Sequence, residues 1–147
     1  MRSLVTALIL CTALSGADTE KKIKMKDLPP PVQAAVKDLT KDNAVLAGLA
    51  KEVENGKTLY EAEFKVNGHT KDVTMDETGK IVTTEEEVSL ASLPAPAREA
   101  MQKAVGKRKL VRLEAVTKDG TTYYEGLVKS GLKKTEVKID PAGNTIK

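Results

Sequence analysis

Residues 56–82 read GKTLYEAEFKVNGHTKDVTMDETGKIV and residues 120–146 read GTTYYEGLVKSGLKKTEVKIDPAGNTI. A repeat of this kind constrains a fold more than composition does, because one structural solution must serve two sequences. The match extends upstream. Ile23 to Pro29 (IKMKDLP) aligns with Val88 to Pro94 (VSLASLP) at an offset of 65, and Pro31/Pro96, Ala35/Ala100 and Val36/Met101 keep it. Gly56/Gly120, Tyr60/Tyr124, Glu61/Glu125, Val73/Val137, Asp76/Asp140 and Gly79/Gly143 run at an offset of 64. The lost residue falls between helix and strand, where a loop absorbs it.

Each copy opens with a helix signal. Asp27 and Ser92 suit an N-cap or near-cap position, and prolines follow in the first turn. Val32, Ala35, Val36 and Leu39 form an i, i+3, i+4, i+7 stripe, repeated by Ala97, Ala100, Met101 and Ala104. A narrow, alanine-rich stripe lets a helix approach a sheet closely. Strand patterns follow. Tyr60, Ala62, Phe64 and Val66 share one parity and Glu61, Glu63 and Lys65 the other, the period of a strand with one buried face. Asn67-Gly68 predicts a two-residue hairpin, with Ser130-Gly131 in its place in copy two. Asp76-Glu77-Thr78-Gly79 and Asp140-Pro141-Ala142-Gly143 predict type I turns into a short fourth strand. The expected fold class is α+β: two tandem repeats, each one helix packed on a four-stranded antiparallel sheet. The expected boundaries are a signal peptide at 1–17, repeat one at 18–82, and linker plus repeat two at 83–147, with Thr83 to Glu87 (TTEEE) as the linker.

The first seventeen residues carry Arg2, an apolar run from Leu4 to Leu14 and the small residues Ser15-Gly16-Ala17. This is the plan of a secretory signal peptide, with an apolar run too short to span a bilayer. Cys11 is the only cysteine, and Ile9-Leu10 before it do not suit a lipidation signal. Cleavage after Ala17 leaves no cysteine and a net charge of +2, from 23 basic and 21 acidic residues. Export without disulfides suits a bacterial periplasm or exterior. Tyr60, Phe64, Tyr123 and Tyr124 are the whole aromatic set, which argues against a stacking platform for single-stranded nucleic acid.

The pattern DLPPPVQAAV, LYEAEFKVNG, KDVTMDETGKIV resembles the PepSY-like family, and SLPAPAREAM, YYEGLVKSG, TEVKIDPAGNTI resembles the same module. Two such modules after a signal peptide are similar to the beta-lactamase-inhibitor-like periplasmic group. The resemblance covers about Ile23 to Ile146. It implies a helix-on-sheet module associated with binding proteins and with inhibiting peptidases or other secreted enzymes, and it carries over no catalytic residues. Copy two departs from it by replacing Ala62 with Gly126.

Catalytic sets are poorly supported. The one histidine, His69, falls at a predicted hairpin tip, away from any fixed nucleophile and acid. One histidine and no cysteine after Ala17 make no ordinary zinc site, and DETGK lacks the ligand spacing of a calcium loop. No metal and no cofactor are expected. Lys103, Lys107, Arg108, Lys109 and Arg112 make one local cluster and Lys133 and Lys134 another, but export and near charge balance argue against nucleic acid. A solvated helix end accounts for this cluster, and contact with an acidic partner or envelope surface is the alternative.

The face opposite the helices is where a partner is expected: Glu61, Glu63, Lys65, Arg112, Tyr123, Glu125 and Leu127. The charged residues there read as a solvated sheet face. Tyr123 and Leu127 stand where copy one has Leu59 and Glu63. Either copy two packs this face on copy one or the linker, or it offers a contact patch. The expected function is an exported, non-catalytic protein-binding module, with inhibition of a secreted or periplasmic enzyme as its finer form. The alternative is a cell-envelope sensor of a small ligand or ion. The expected partner is a protein of the periplasm or exterior, with no stable membrane insertion after signal cleavage.

Overall fold

The computed structural model describes residues 19–41 and 43–146. The predicted signal peptide and Cys11 lie outside the described residues. The elements run β1 (Thr19–Lys22), α1 (Pro30–Leu39), β2 (Val45–Glu54), β3 (Lys57–Val66), β4 (His69–Met75), β5 (Ile81–Glu87), α2 (Ala95–Val105), β6 (Lys109–Lys118), β7 (Thr121–Ser130), β8 (Lys133–Ile139) and β9 (Thr145–Ile146). Each copy is a helix followed by four strands, as its patterning predicts. The strands form a single nine-stranded antiparallel sheet in sequence order, β1 to β9.

The two copies therefore join edge to edge, through β5 and β6. Thr83 pairs with Lys118 and Glu87 with Glu114. This corrects the reading of Thr83 to Glu87 as a linker: the stretch is the second half of β5, paired with β4 on its other side. Two such sheets each end in strands whose N–H and C=O groups need partners, and joining satisfies both edges at once. β1, which the repeat pattern does not contain, adds a further strand beside β2.

The capping residues also differ from expectation. Asp27 and Ser92 lie in short 3-10 turns, Met25–Asp27 and Leu90–Ser92, just before the helices. Asp27 Oδ2 accepts from the Lys24 N–H at 3.0 Å, and Ser92 Oγ donates to the Ser89 carbonyl at 2.7 Å. Pro29 and Pro94 themselves stand at the helix N-caps. The Asp76 and Asp140 turns form as predicted, closed by Gly79 N–H to Asp76 O and Gly143 N–H to Asp140 O, both 3.0 Å. Gly79 has φ +80, and a Cβ there would lie 2.7 Å from the Pro31 carbonyl oxygen. The Asp-x-x-Gly motif thus lets the last turn rest against the start of the helix. The β7–β8 turn is Gly131-Leu132 rather than Ser130-Gly131, because Ser130 pairs with Lys133. Gly131 alone takes positive φ there, whereas both Asn67 and Gly68 do in copy one. These patterns fit type II′ and type I′ hairpins.

Each helix seals its own core on the same face of the sheet. Val32 and Val36 of α1 pack with Tyr60, Ala62, Phe64 and Met75. Ala97 and Met101 of α2 pack with Leu113 and Ile139. The Ala62-to-Gly126 change has a packing reason: a Cβ on Gly126 would sit 2.8 Å from Met101 Sδ. Copy two has Met101 where copy one has Val36, and the glycine makes room for it.

Candidate functional site

Directly paired residues share a face of an antiparallel sheet, so the register assigns every side chain to the helix side or the open side. Ala62 pairs with Val73 on the helix side. Glu63 with Asp72, Asp72 with Glu85, Glu114 with Glu125, and Val116 with Tyr123 fall on the open side. Each of the strands β2 to β8 presents a carboxylate there: Glu52, Glu61, Asp72, Glu85, Glu114, Glu125 and Glu136. An acidic band therefore crosses the sheet and passes over the joint between the copies.

The middle of this face is not the solvated surface that alternating charge predicts. Glu61 is 7% exposed and Glu114 5%, beside buried Ala50, Leu59 and Val116. They lie on the side opposite the helices. Burial sets the electrostatics. It is the largest influence pushing the Glu61 carboxyl up to about 9, helped by a hydrogen bond with Glu52 and by the charges of Glu52, Asp72 and Glu63. Glu114 rises to about 7 by burial, against the pull of Arg112. Asp72 rises to about 6 by burial and the charge of Glu63, against Arg112 and Lys65. Glu85 is raised by burial, then by Glu125 and Asp72. Near neutral pH this floor holds protons that exposed carboxylates would have lost.

Asp72, Glu85 and Glu114 each offer an oxygen within 4.8 Å of the others. They come from β4, β5 and β6, so the trio exists only because the copies join. All-oxygen ligands at this spacing are what a hard divalent cation takes. No motif spacing signals such a set, since Glu85 and Glu114 meet only through the joint. Arg112 lies beside it as a competing cation, its Nε 3.2 Å from Glu114 Oε1 as an ion pair without hydrogen-bond alignment. The two predicted turns offer less. Asp76 Oδ1 is taken up by the Thr78 and Lys80 N–H groups at 2.9 and 3.1 Å.

Of the predicted partner-facing residues, Glu61, Glu63, Lys65, Arg112, Tyr123, Glu125 and Leu127 all fall on the open side. They do not form one cluster. Glu61 lies in the copy-one floor and Arg112 beside the acidic trio. Tyr123, Glu125 and Leu127 line β7, where Lys138 Nζ lies 3.1 Å from Glu125 Oε2 and 5.8 Å from the Tyr123 ring centroid. Tyr123 and Leu127 are half-buried. They pair with Val116 and Arg112 of β6, not with copy one, since the copies lie side by side. Parity could have found Asp72, which alternates with Val73. Glu85, Glu114 and Lys138 needed the tertiary register.

The arrangement has known counterparts. A candidate periplasmic protein from Bacteroides eggerthii superposes with a TM-score of 0.67 at 19% identity, over 82% of this chain and 86% of that one. A BLIP-like protein from Bacteroides fragilis gives 0.61 at 20% identity, over 82% and 84%. This chain has the BLIP-like fold. A DUF2874 family protein from Bacteroides ovatus shares it, with a TM-score of 0.63 at 21% identity over 82% and 85%. No protein-family model matches the sequence, and comparison with curated proteins gives no match. The BLIP-like fold accounts for the tandem modules and the continuous sheet. Among the described residues no helix is long and apolar enough to cross a membrane.

Proposed function

We propose that this chain is an exported, non-catalytic protein-binding module that engages its partner through the open face of the sheet. The observation that carries the reading is the acidic band over β2 to β8 with Tyr123 and Leu127 beside it, on a face neither helix covers. Tyrosine is a frequent anchor at protein contacts, and an exposed carboxylate at the edge of the band, such as Glu63, suits a partner surface carrying Arg and Lys. The relatives that share the fold are described as candidate periplasmic and BLIP-like proteins. These descriptions support a periplasmic or secreted location and a protein partner. In its finer form the partner is a secreted or periplasmic enzyme that the module inhibits. Affinity capture from envelope extract, comparing the wild-type chain with Tyr123→Ala/Leu127→Ala, tests the face. The double variant should lose the captured protein, and equal capture would count against this surface.

A second reading, an envelope ion sensor, is favoured by the Asp72, Glu85 and Glu114 trio. A cation bound there would raise the melting temperature, and the rise would grow with the logarithm of its concentration above Kd. Calorimetric titration with calcium and zinc, repeated on Asp72→Asn, separates the two readings. The protein-binding reading expects no ion-dependent melting shift that Asp72→Asn abolishes.

A further inference from the structure

At one corner of copy two the register sets lysines side by side. Lys109 pairs with Lys129, and Lys129 pairs with Lys134. Lys133 follows at the β7–β8 turn, and Lys107 precedes β6. All five are exposed. Among the described residues none of them forms an ion pair. Like charges directly opposite on neighbouring strands repel. Copy one shows that the backbone does not require this row. Its equivalent positions are Val45, Lys65 and Thr70. There the row ends on Glu87, whose Oε2 accepts from the Thr70 N–H at 3.1 Å.

The same corner carries the most exposed large apolar side chain among the described residues. Leu132 is 97% exposed at the tip of the hairpin, where copy one has Gly68. Val111, 45% exposed, sits at the β6 bulge next to Arg112. A leucine projecting from a ring of unpaired lysines combines two chemistries. The lysines attract anions, and the leucine gains from leaving water. A soluble polyanion would use only the first.

We propose that this corner docks the protein peripherally on an anionic lipid surface. Lys109, Lys129, Lys133 and Lys134 meet the phosphates and Leu132 enters the headgroup boundary. The lysine row lies on the same open side of the sheet as the acidic band, beyond Leu127 at the β7–β8 turn end. It inserts no helix or strand.

The test uses the chain from Asp18 onward, which carries every described element. Co-sedimentation is measured with vesicles of phosphatidylcholine containing phosphatidylglycerol at three parts in ten, and with phosphatidylcholine alone, each at low and high salt. Binding should require phosphatidylglycerol and disappear at high salt. The variant Lys109→Gln/Lys129→Gln/Lys134→Gln should bind anionic vesicles about fivefold more weakly for each lysine removed. Its melting temperature should hold or rise, because it removes a repulsion. Leu132→Ala should weaken vesicle binding about tenfold while leaving retention on heparin resin unchanged. Absence of binding to anionic vesicles, or a triple variant that binds like wild type, overturns the proposal. So does a Leu132→Ala variant with full vesicle affinity, which would make the corner a polyanion site.

Discussion

Phe64 and Val128 occupy equivalent positions on the central strands of the two copies, and both are fully buried on the helix side of the sheet. One is a ring and the other a small branched side chain. The helices differ in the opposite sense, with Val36 in copy one and Met101 in copy two. Copy one places its bulk in the sheet, and copy two places it in the helix, with Gly126 cleared beneath. Core bulk is thus redistributed across the helix–sheet layer, the larger Met101 offsetting part of what the sheet loses at Val128 and Gly126. The open faces differ as well. Copy one buries Glu61 among other acids, while its counterpart Glu125 is answered by Lys138 at 3.1 Å.

The largest expected effect probes the two cores. Phe64→Ala should cost about 3–5 kcal/mol, the usual range for a buried aromatic. Val128→Ala should cost roughly 2 kcal/mol, from the lost methyl groups and the small cavity they leave. Because the sheet is continuous, both variants should move one shared urea transition. Separate transitions for the two copies would break the picture of a single cooperative sheet.

The helix–sheet exchange is sharpened by a double-mutant cycle. Gly126→Ala should cost about 1–3 kcal/mol by crowding Met101. Adding Met101→Val restores the copy-one pair and should recover part of that loss, a coupling of at least about 0.5 kcal/mol in urea titrations. Simple additivity would show that Gly126 is small for some other reason.

The acidic floor predicts a pH dependence. The folded-state value for Glu61 is about 9 against an ordinary 4.5, so the folded chain holds a proton that the unfolded chain has released. Its contribution to stability is full below pH 4.5 and is lost as pH rises toward 9. Glu114, raised to about 7, and Asp72, raised to about 6, add the same sign over narrower windows. Glu61→Gln, permanently neutral, should raise stability at pH 8 by on the order of 2 kcal/mol and flatten the decline from pH 5 to 8. Glu125→Gln should instead lower stability slightly, through its ion pair. Melting curves at pH 5 and 8 check both. The smallest effect is expected at the partly exposed Lys71–Glu86 pair, which links β4 to β5. Lys71→Ala should cost only about 0.5 kcal/mol or less.

What the sequence made legible was local. Parity placed Tyr60, Ala62, Phe64, Val73 and Met75 in the core, and the Asp-x-x-Gly turns and helix stripes stand where their patterns put them. Parity also placed Glu61, Glu63, Lys65, Arg112, Tyr123, Glu125 and Leu127 on the side opposite the helices. The misses concern contacts between distant segments. TTEEE reads as a water-loving linker because nothing local shows that β6 lies beside it. Burial of Glu61 and Glu114 was hidden because alternating charge normally marks a wet face, and the strands that flank them meet only through the tertiary register. The Gly131-Leu132 turn was displaced by one residue because two adjacent positions both suit a tight hairpin, and cross-strand register decides between them.

The claim that the open face is the working surface is tested most directly by photocrosslinking in cells. A photoreactive amino acid is placed singly at Glu63 or Leu127 on the open face, or at exposed Gln102 on α2. The account predicts the same partner adduct from Glu63 and Leu127 and none from Gln102. An adduct from Gln102, with neither open-face position captured, would contradict it.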